Sequence, residues 1–115
     1  MEIMNAKIES AELTMEDHGI LTFYLTLSGE GWGCVYGGYC LGHGYLGAKH
    51  FDASGKGLES VMRIMDVVGV SRFTDLKDKY VRAVTEGWGG TISKIGNLIE
   101  DKWFDYKEFF KKEET

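Results

Sequence analysis

At 115 residues, with 43% hydrophobic and 27% charged side chains, the chain is long enough for one core and too apolar to be disordered. A net charge of −5 excludes the broad basic footprint of a protein that holds a phosphate backbone. No apolar run approaches a membrane span, and residues 1–13 carry Glu2, Glu9 and Glu12 where a signal peptide would be continuously apolar.

Sixteen Gly and no Pro is an unusual pair, since average usage would give roughly 5% Pro. Turns must be built from Gly, Asn and Asp, which suits tight antiparallel hairpins. Lys7 to Thr14 reads as a first strand with a phase break near Ser10 and Ala11. A turn over Glu16-Asp17-His18-Gly19 leads to Ile20–Leu27, the clearest strand, with Leu21, Phe23, Leu25 and Leu27 on one face. Ser28 to Gly33 is a Gly-rich connection, and Cys34 to Leu41 a third strand interrupted by Gly37-Gly38. A glycine pair inside a strand marks a bulge or a close approach by backbone or ligand.

Gly42 to Ser54 reads as a long loop. Lys56 to Val68 is an amphipathic helix, capped by Ser54 and stopped by Gly69, with Leu58, Val61, Met62, Met65 and Val68 expected inward. Arg72 to Lys79 is a polar connector with a short turn at Thr74-Asp75-Leu76. Tyr80–Thr85 and Thr91–Ile95 form a second hairpin around Gly87-Trp88-Gly89-Gly90, and Asp105 caps a short final helix that turns Phe109 and Phe110 inward. The expected fold is one α+β domain over residues 1–115. It is a twisted antiparallel sheet of about five strands, ordered βββαββ, packed on one amphipathic helix with a short C-terminal helix.

The tetrapeptide Glu-Gly-Trp-Gly occurs twice, at Glu30–Gly33 and at Glu86–Gly89. Three readings of it stand side by side. Each copy can be turn chemistry with the indole folded over the core edge. The two indoles can instead form a stacking surface for a flat ligand, where each base stacked is worth roughly 1–3 kcal/mol. They can also meet across a dimer. For the ligand reading the candidate residues are Trp32, Trp88, Arg82, Asn97, Gly37 and Gly38. Arg63, Arg72, Arg82 and Lys94 are the cations that could gather into one local anion site, with Arg suited to bidentate phosphate contacts.

Catalysis and metal binding have little to stand on. Cys34, Cys40, His43 and His50 match no common zinc spacing. In one strand the two cysteines lie roughly 20 Å apart at about 3.3 Å per residue, too far to bridge. Reduced thiols imply a cytoplasmic setting. Asp17-His18 and Glu100-Asp101 are turn and surface pairs, and Gly29–Gly33 lacks the Gly-Lys-Ser/Thr of a phosphate loop. The expectation is a non-enzymatic binder without catalytic residue, metal or cofactor.

The strings Asn5–Ser10, Glu16–Phe23, Tyr80–Arg82, Glu86–Gly90, Ile95–Asn97 and Asp101–Asp105 resemble those of small accessory proteins encoded by bacteriophages and prophages. The resemblance spans most of the chain. It implies action in the host cytoplasm, and proteins of this kind often counteract bacterial defence. Two modes follow from it. One is a homo-oligomer that sequesters a nucleotide-derived signal. The other is an acidic inhibitor that covers a host effector or nuclease in the manner of anti-CRISPR proteins. An accessory factor in phage DNA replication or recombination is a third, disfavoured by the charge.

Overall fold

A computed structural model of the chain describes residues 2–17, 19–44, 51–85 and 91–111, with the side chains of Glu16 and Asp17 excepted. Their order is β1 (Glu2–Asp17), β2 (Ile20–Gly29), β3 (Trp32–His43), β4 (Asp52–Ala53), α1 (Gly55–Val68), a 3-10 turn (Phe73–Leu76), β5 (Tyr80–Thr85), β6 (Ile92–Gly96), β7 (Trp103–Phe104) and α2 (Tyr106–Phe109). All described strands join one antiparallel sheet in the order β4-β3-β2-β1-β5-β6-β7. The fold is therefore α+β with seven strands, not about five. The two extra strands are the two-residue edges β4 and β7, and β4 falls where a continuous loop was expected.

The long first strand anchors the sheet. Its first half pairs with β5 and its second half with β2. One residue, Glu9, bulges out between the pairs Ile8↔Leu27 and Ser10↔Thr26, which is the expected phase break. Alternation in β2 holds as read: Phe23, Leu25 and Leu27 are fully buried, and Leu21 packs against them. A second bulge sits at Gly37-Gly38, between the pairs Phe23↔Tyr39 and Tyr24↔Gly37. Both glycines take positive φ, 120° and 89°. A Cβ at Gly37 would stand 2.5 Å from the Phe23 carbonyl oxygen, so the glycine serves close approach by backbone.

The sheet curls until its two ends meet across the core. Tyr36, on β3, donates its hydroxyl hydrogen bond to the Phe104 carbonyl at 3.0 Å and accepts one from the Tyr106 amide at 3.3 Å. Tyr39, Tyr106 and Phe110 stack against one another at that junction, with ring centroids 4.7 Å (Tyr39–Tyr106) and 5.3 Å (Tyr39–Phe110) apart. As expected, Asp105 caps α2, accepting from the Glu108 amide at 3.2 Å.

Helix α1 crosses the same face. Ser54 accepts from the Gly57 amide at 2.9 Å, and Gly69 ends the helix in the left-handed region at φ 92°, both as the sequence indicates. The buried side matches the expected stripe in part: Val61 is buried and Met65 and Val68 pack against the core, but Leu58 and Met62 do not. Gly57, Ser60, Val61, Ile64 and Val67 face the core, while Leu58 and Met62 face solvent. The cause is the pair of small residues. A Cβ on Gly57 would lie 2.8 Å from the Leu41 Cα, so the helix backbone itself sits against β3 there. Ser60 is fully buried because its hydroxyl is satisfied inside the helix by the Gly57 carbonyl at 2.5 Å. The close approach rolls the helix, and the larger Leu58 and Met62 rotate outward.

Two predictions follow from this packing. Gly57→Val should cost about 1–3 kcal/mol by overpacking, whereas Gly55→Ala, whose added Cβ meets nothing within 4 Å, should stabilise by about 0.5–1 kcal/mol; urea titration of both variants checks the contrast. Burial also pushes the phenols of Tyr36 and Tyr106 well above their ordinary value of 10.0. The Tyr106 hydroxyl is buried without a hydrogen-bond partner. Because the folded state resists ionisation more than the unfolded chain, this contribution is complete below the unfolded value near 10 and is lost as pH rises above it. Unfolding free energy measured between neutral and strongly alkaline pH should fall from that point by up to about 1.4 kcal/mol per pH unit for each such group, and Tyr36→Phe should make the fall shallower.

Candidate functional site

Register places the side chains of the candidate site. Asn5 pairs with Arg82, Arg82 with Gly96, and Gly96 with Trp103, so the four form one row across β1, β5, β6 and β7. Gly96 is bare for a reason: a Cβ there would overlap the Trp103 indole, which lies flat against the sheet at that point. The space lets the Arg82 guanidinium stack over the indole at 4.4 Å from the ring centroid, with the Lys94 ammonium at 5.1 Å. The indole N–H donates to the Asp101 carboxylate at 2.6 Å, which fixes the ring's rotation.

Arg82 is held by carbonyls. Its Nε donates to the Asn97 carbonyl at 2.7 Å and one terminal nitrogen to the Glu100 carbonyl at 2.8 Å. Neither Arg82 nor Lys94 makes an ion pair with a carboxylate among the described residues. Two cations therefore lie over one indole in a chain of net charge −5, with the Asp101 carboxylate on the indole N–H offsetting part of their charge.

Beside this cluster lies an open groove of about 510 Å³ between α1, β6, β7 and α2. Trp103, Phe104 and Phe109 supply its apolar wall, and Lys94, Lys102 and Arg63 its positive charge. Asp66, Asp105 and Glu108 also line it. Of these, Asp66 is taken by Lys102 at 3.3 Å, while Arg63 is bridged to Glu59 at 2.7 Å. Arg63 and Lys56 further rest on the Phe109 ring, at 5.4 and 5.0 Å from its centroid. The arrangement offers an apolar wall edged by three cations and three carboxylates. Among the described residues, no group of three His, Cys, Asp or Glu side chains could hold a metal ion. Cys40 and His43 lie 3.7 Å apart on the exposed surface near β4, remote in strand order from the groove. Burial raises the Cys34 thiol.

The expected ligand residues divide into separate places. Arg82 and Asn97 are in contact, as just described. Trp32 lies on β3, three strands from Arg82 on β5. It is half-buried, packs against the core, and covers Gly29, where a Cβ would overlap the indole. The first Glu-Gly-Trp-Gly copy is thus a hairpin turn, with Gly31 at φ 79° and Trp32 already in the strand. Gly37 and Gly38 belong to the bulge in the same strand. Trp88 and the second copy lie outside the described residues, as do His18 and His50.

Asn97 is occupied in building the loop that carries Trp103. Its Oδ1 accepts from the Ile99 and Glu100 amides at 2.9 and 2.8 Å, and its Nδ2 donates to the Val67 carbonyl at 2.9 Å. The residue that sequence reasoning missed is Trp103. Its signal was present: Arg82 and Lys94 share the parity of adjacent strands, and Gly96 leaves room for a large neighbour.

Comparison with known protein families, with curated proteins and with solved structures finds no match to this chain. Among the described residues, no helix is long and apolar enough to cross a membrane.

Because Asn97 ties two loop amides to α1, Asn97→Ala should cost about 1–2 kcal/mol. Hydrogen exchange should show the Ile99 and Glu100 amides losing protection more than those of β5.

Proposed function

We propose that this chain is a binding protein, not a catalyst, and that it sequesters a small anionic ligand carrying a flat ring, of the nucleotide-derived class. The observation that carries the reading is the Trp103 indole set between Arg82 and Lys94 at the edge of the groove. The Arg82 guanidinium, held on the indole, offers its outer plane for a base to stack on, and the cations meet the phosphate. This moves the ligand site from the repeated Trp turns to a tryptophan outside the repeat. The wider setting, a phage product acting against bacterial defence in the host cytoplasm, rests on the sequence resemblance alone.

A second reading, an acidic inhibitor of a host protein, draws on the loop after β6. Ile99 is 87% exposed and Leu98 42% exposed, yet the loop is pinned by Asn97 and Arg82. Glu100 and Asp101 follow directly. A rigid apolar tip beside two acids suits a partner pocket rimmed by bases.

Calorimetric titration with cyclic dinucleotides, cyclic mononucleotides and ADP-ribose isomers separates the two. The ligand reading expects saturable binding by at least one, weakened about tenfold or more by Trp103→Ala, in line with roughly 1–3 kcal/mol per stacked base. Lys94→Glu should weaken it comparably, with affinity falling as salt rises. Absence of binding by the whole panel, or binding that ignores both substitutions, would refute it.

A further inference from the structure

Strand β3 presents main chain to solvent. On the side away from β2, its neighbour β4 pairs only with Gly42 and His43. The hairpin fixes which way the remaining groups point. Gly29 and Trp32 flank the turn at Glu30-Gly31 and close the ladder by exchanging hydrogen bonds, so the pairs Leu27↔Cys34 and Leu25↔Tyr36 exchange them too. The residues between, Gly33 and Val35, therefore aim their amides and carbonyls away from β2. Among the described residues no hydrogen bond meets them there, and the first bond on that side runs from the Ser54 amide to the Leu41 carbonyl at 2.9 Å. Both are exposed, Val35 at 61%.

Sheet edges are ordinarily guarded by charge, proline, shortness or cover. The opposite edge, β7, is two residues long, and β1, where it runs on past β5, carries Glu9 and Glu12. By contrast β3 has twelve residues, and Trp32–Gly42 holds neither a charge nor a proline. A row of alternating donors and acceptors is matched by the main chain of another extended segment. The spacing says which segment fits. The bulge at Gly37-Gly38 ends the regular part of the edge, leaving Trp32–Tyr36 with Cys34 at its centre. With a two-fold axis through Cys34, Gly33 faces the second copy's Val35 and Val35 the second copy's Gly33. Each of these pairs exchanges both its bonds, so every outward amide and carbonyl of the two residues finds a partner. The Val35 side chain then lies beside a bare glycine, and no like charges stand opposite one another along the strand. The second copy's hairpin turns back at Glu30-Gly31, opposite Gly37-Gly38, before it would reach β4.

We infer that this edge is self-complementary, and that the chain forms a two-fold homodimer by antiparallel pairing of β3 with the β3 of a second copy, joining two sheets into one. The contact is short and made mainly of main-chain bonds, so the dimer is a dissociable one. The inference does not rest on the ligand reading, because β3 lines no part of the groove.

Sedimentation equilibrium from low micromolar to near-millimolar protein tests the interface, with a mass expected to rise from one chain to two. Val35→Pro removes the outward amide without costing a bond to β2. It should weaken the dimer by about tenfold or more, since one bond is lost from each copy, with circular dichroism and melting temperature close to the parent's. Val35→Lys leaves every amide in place but guards the edge with charge, and should act in the same direction. The register has its own readout. Cys34 stands opposite the second copy's Cys34 in a pair that exchanges no bonds, where Cα atoms are about 4.5 Å apart, within disulfide reach. In a Cys40→Ser variant, diamide should therefore join two chains through Cys34, and adding Val35→Pro should suppress the link. A monomer throughout the range, a dimer unmoved by either change at Val35, or a dimer whose Cys34 thiols stay unlinked overturns the inference.

Discussion

The structure depends on one buried hydroxyl. Tyr36 stands in β3 near one end of the sheet, and Phe104 and Tyr106, on either side of Asp105, stand at the other end, 68 and 70 residues on. A carbonyl and an amide at the end of β7 would be buried there without partners unless something reached across. Leaving a buried backbone group unpaired costs about 1–3 kcal/mol, and the Tyr36 hydroxyl serves both a donor and an acceptor at once. A phenylalanine could fill the volume but not bridge the ends. The curl of the sheet, the docking of α2 and the aromatic stack of Tyr39, Tyr106 and Phe110 are arranged about this contact.

That constraint explains which parts of the fold were legible in the sequence. Whatever depends on neighbours along the chain could be read: the alternation of Ile20–Leu27, the break near Ser10, the Gly37-Gly38 bulge, the Ser54 and Asp105 caps and the Gly69 stop. What depends on contacts between distant segments could not. The strands β4 and β7 are two residues each, too short for any period to show, and they exist because Gly42–His43 and Ile95–Gly96 offer them an edge. The face of α1 was legible only in part, at Val61, Met65 and Val68 but not at Leu58 and Met62, for a related reason. Hydropathy sums side chains, whereas the buried side was decided by backbone approach at Gly57 against Leu41.

The candidate site shows the same division. Arg82 and Lys94 could be grouped from strand parity, but their common centre, Trp103, is brought to them by β7. The repeated tetrapeptide drew attention to other tryptophans because repetition is visible in a sequence and proximity is not. Trp32 answers a local need, covering Gly29 at a hairpin. Trp103 answers a tertiary one, lying over Gly96 with cations above it. Both pairs are a tryptophan over a cross-strand glycine, and the charge around the ring is what sets the Trp103 pair apart.

The same small residues also link the core to the surface. A larger side chain at position 57 would push α1 away from β3, and the helix would then be free to turn Leu58 and Met62 inward. The charged flank, now beside α2 with Lys56 and Arg63 resting on Phe109, would turn with it. Since Arg63 and Asp66 line the groove, its charge pattern would change as well. Gly57 does not line the groove, yet the groove's charge pattern follows from the missing Cβ. Core packing and the charge pattern of the groove thus both follow from one helix orientation, set where the chain carries least.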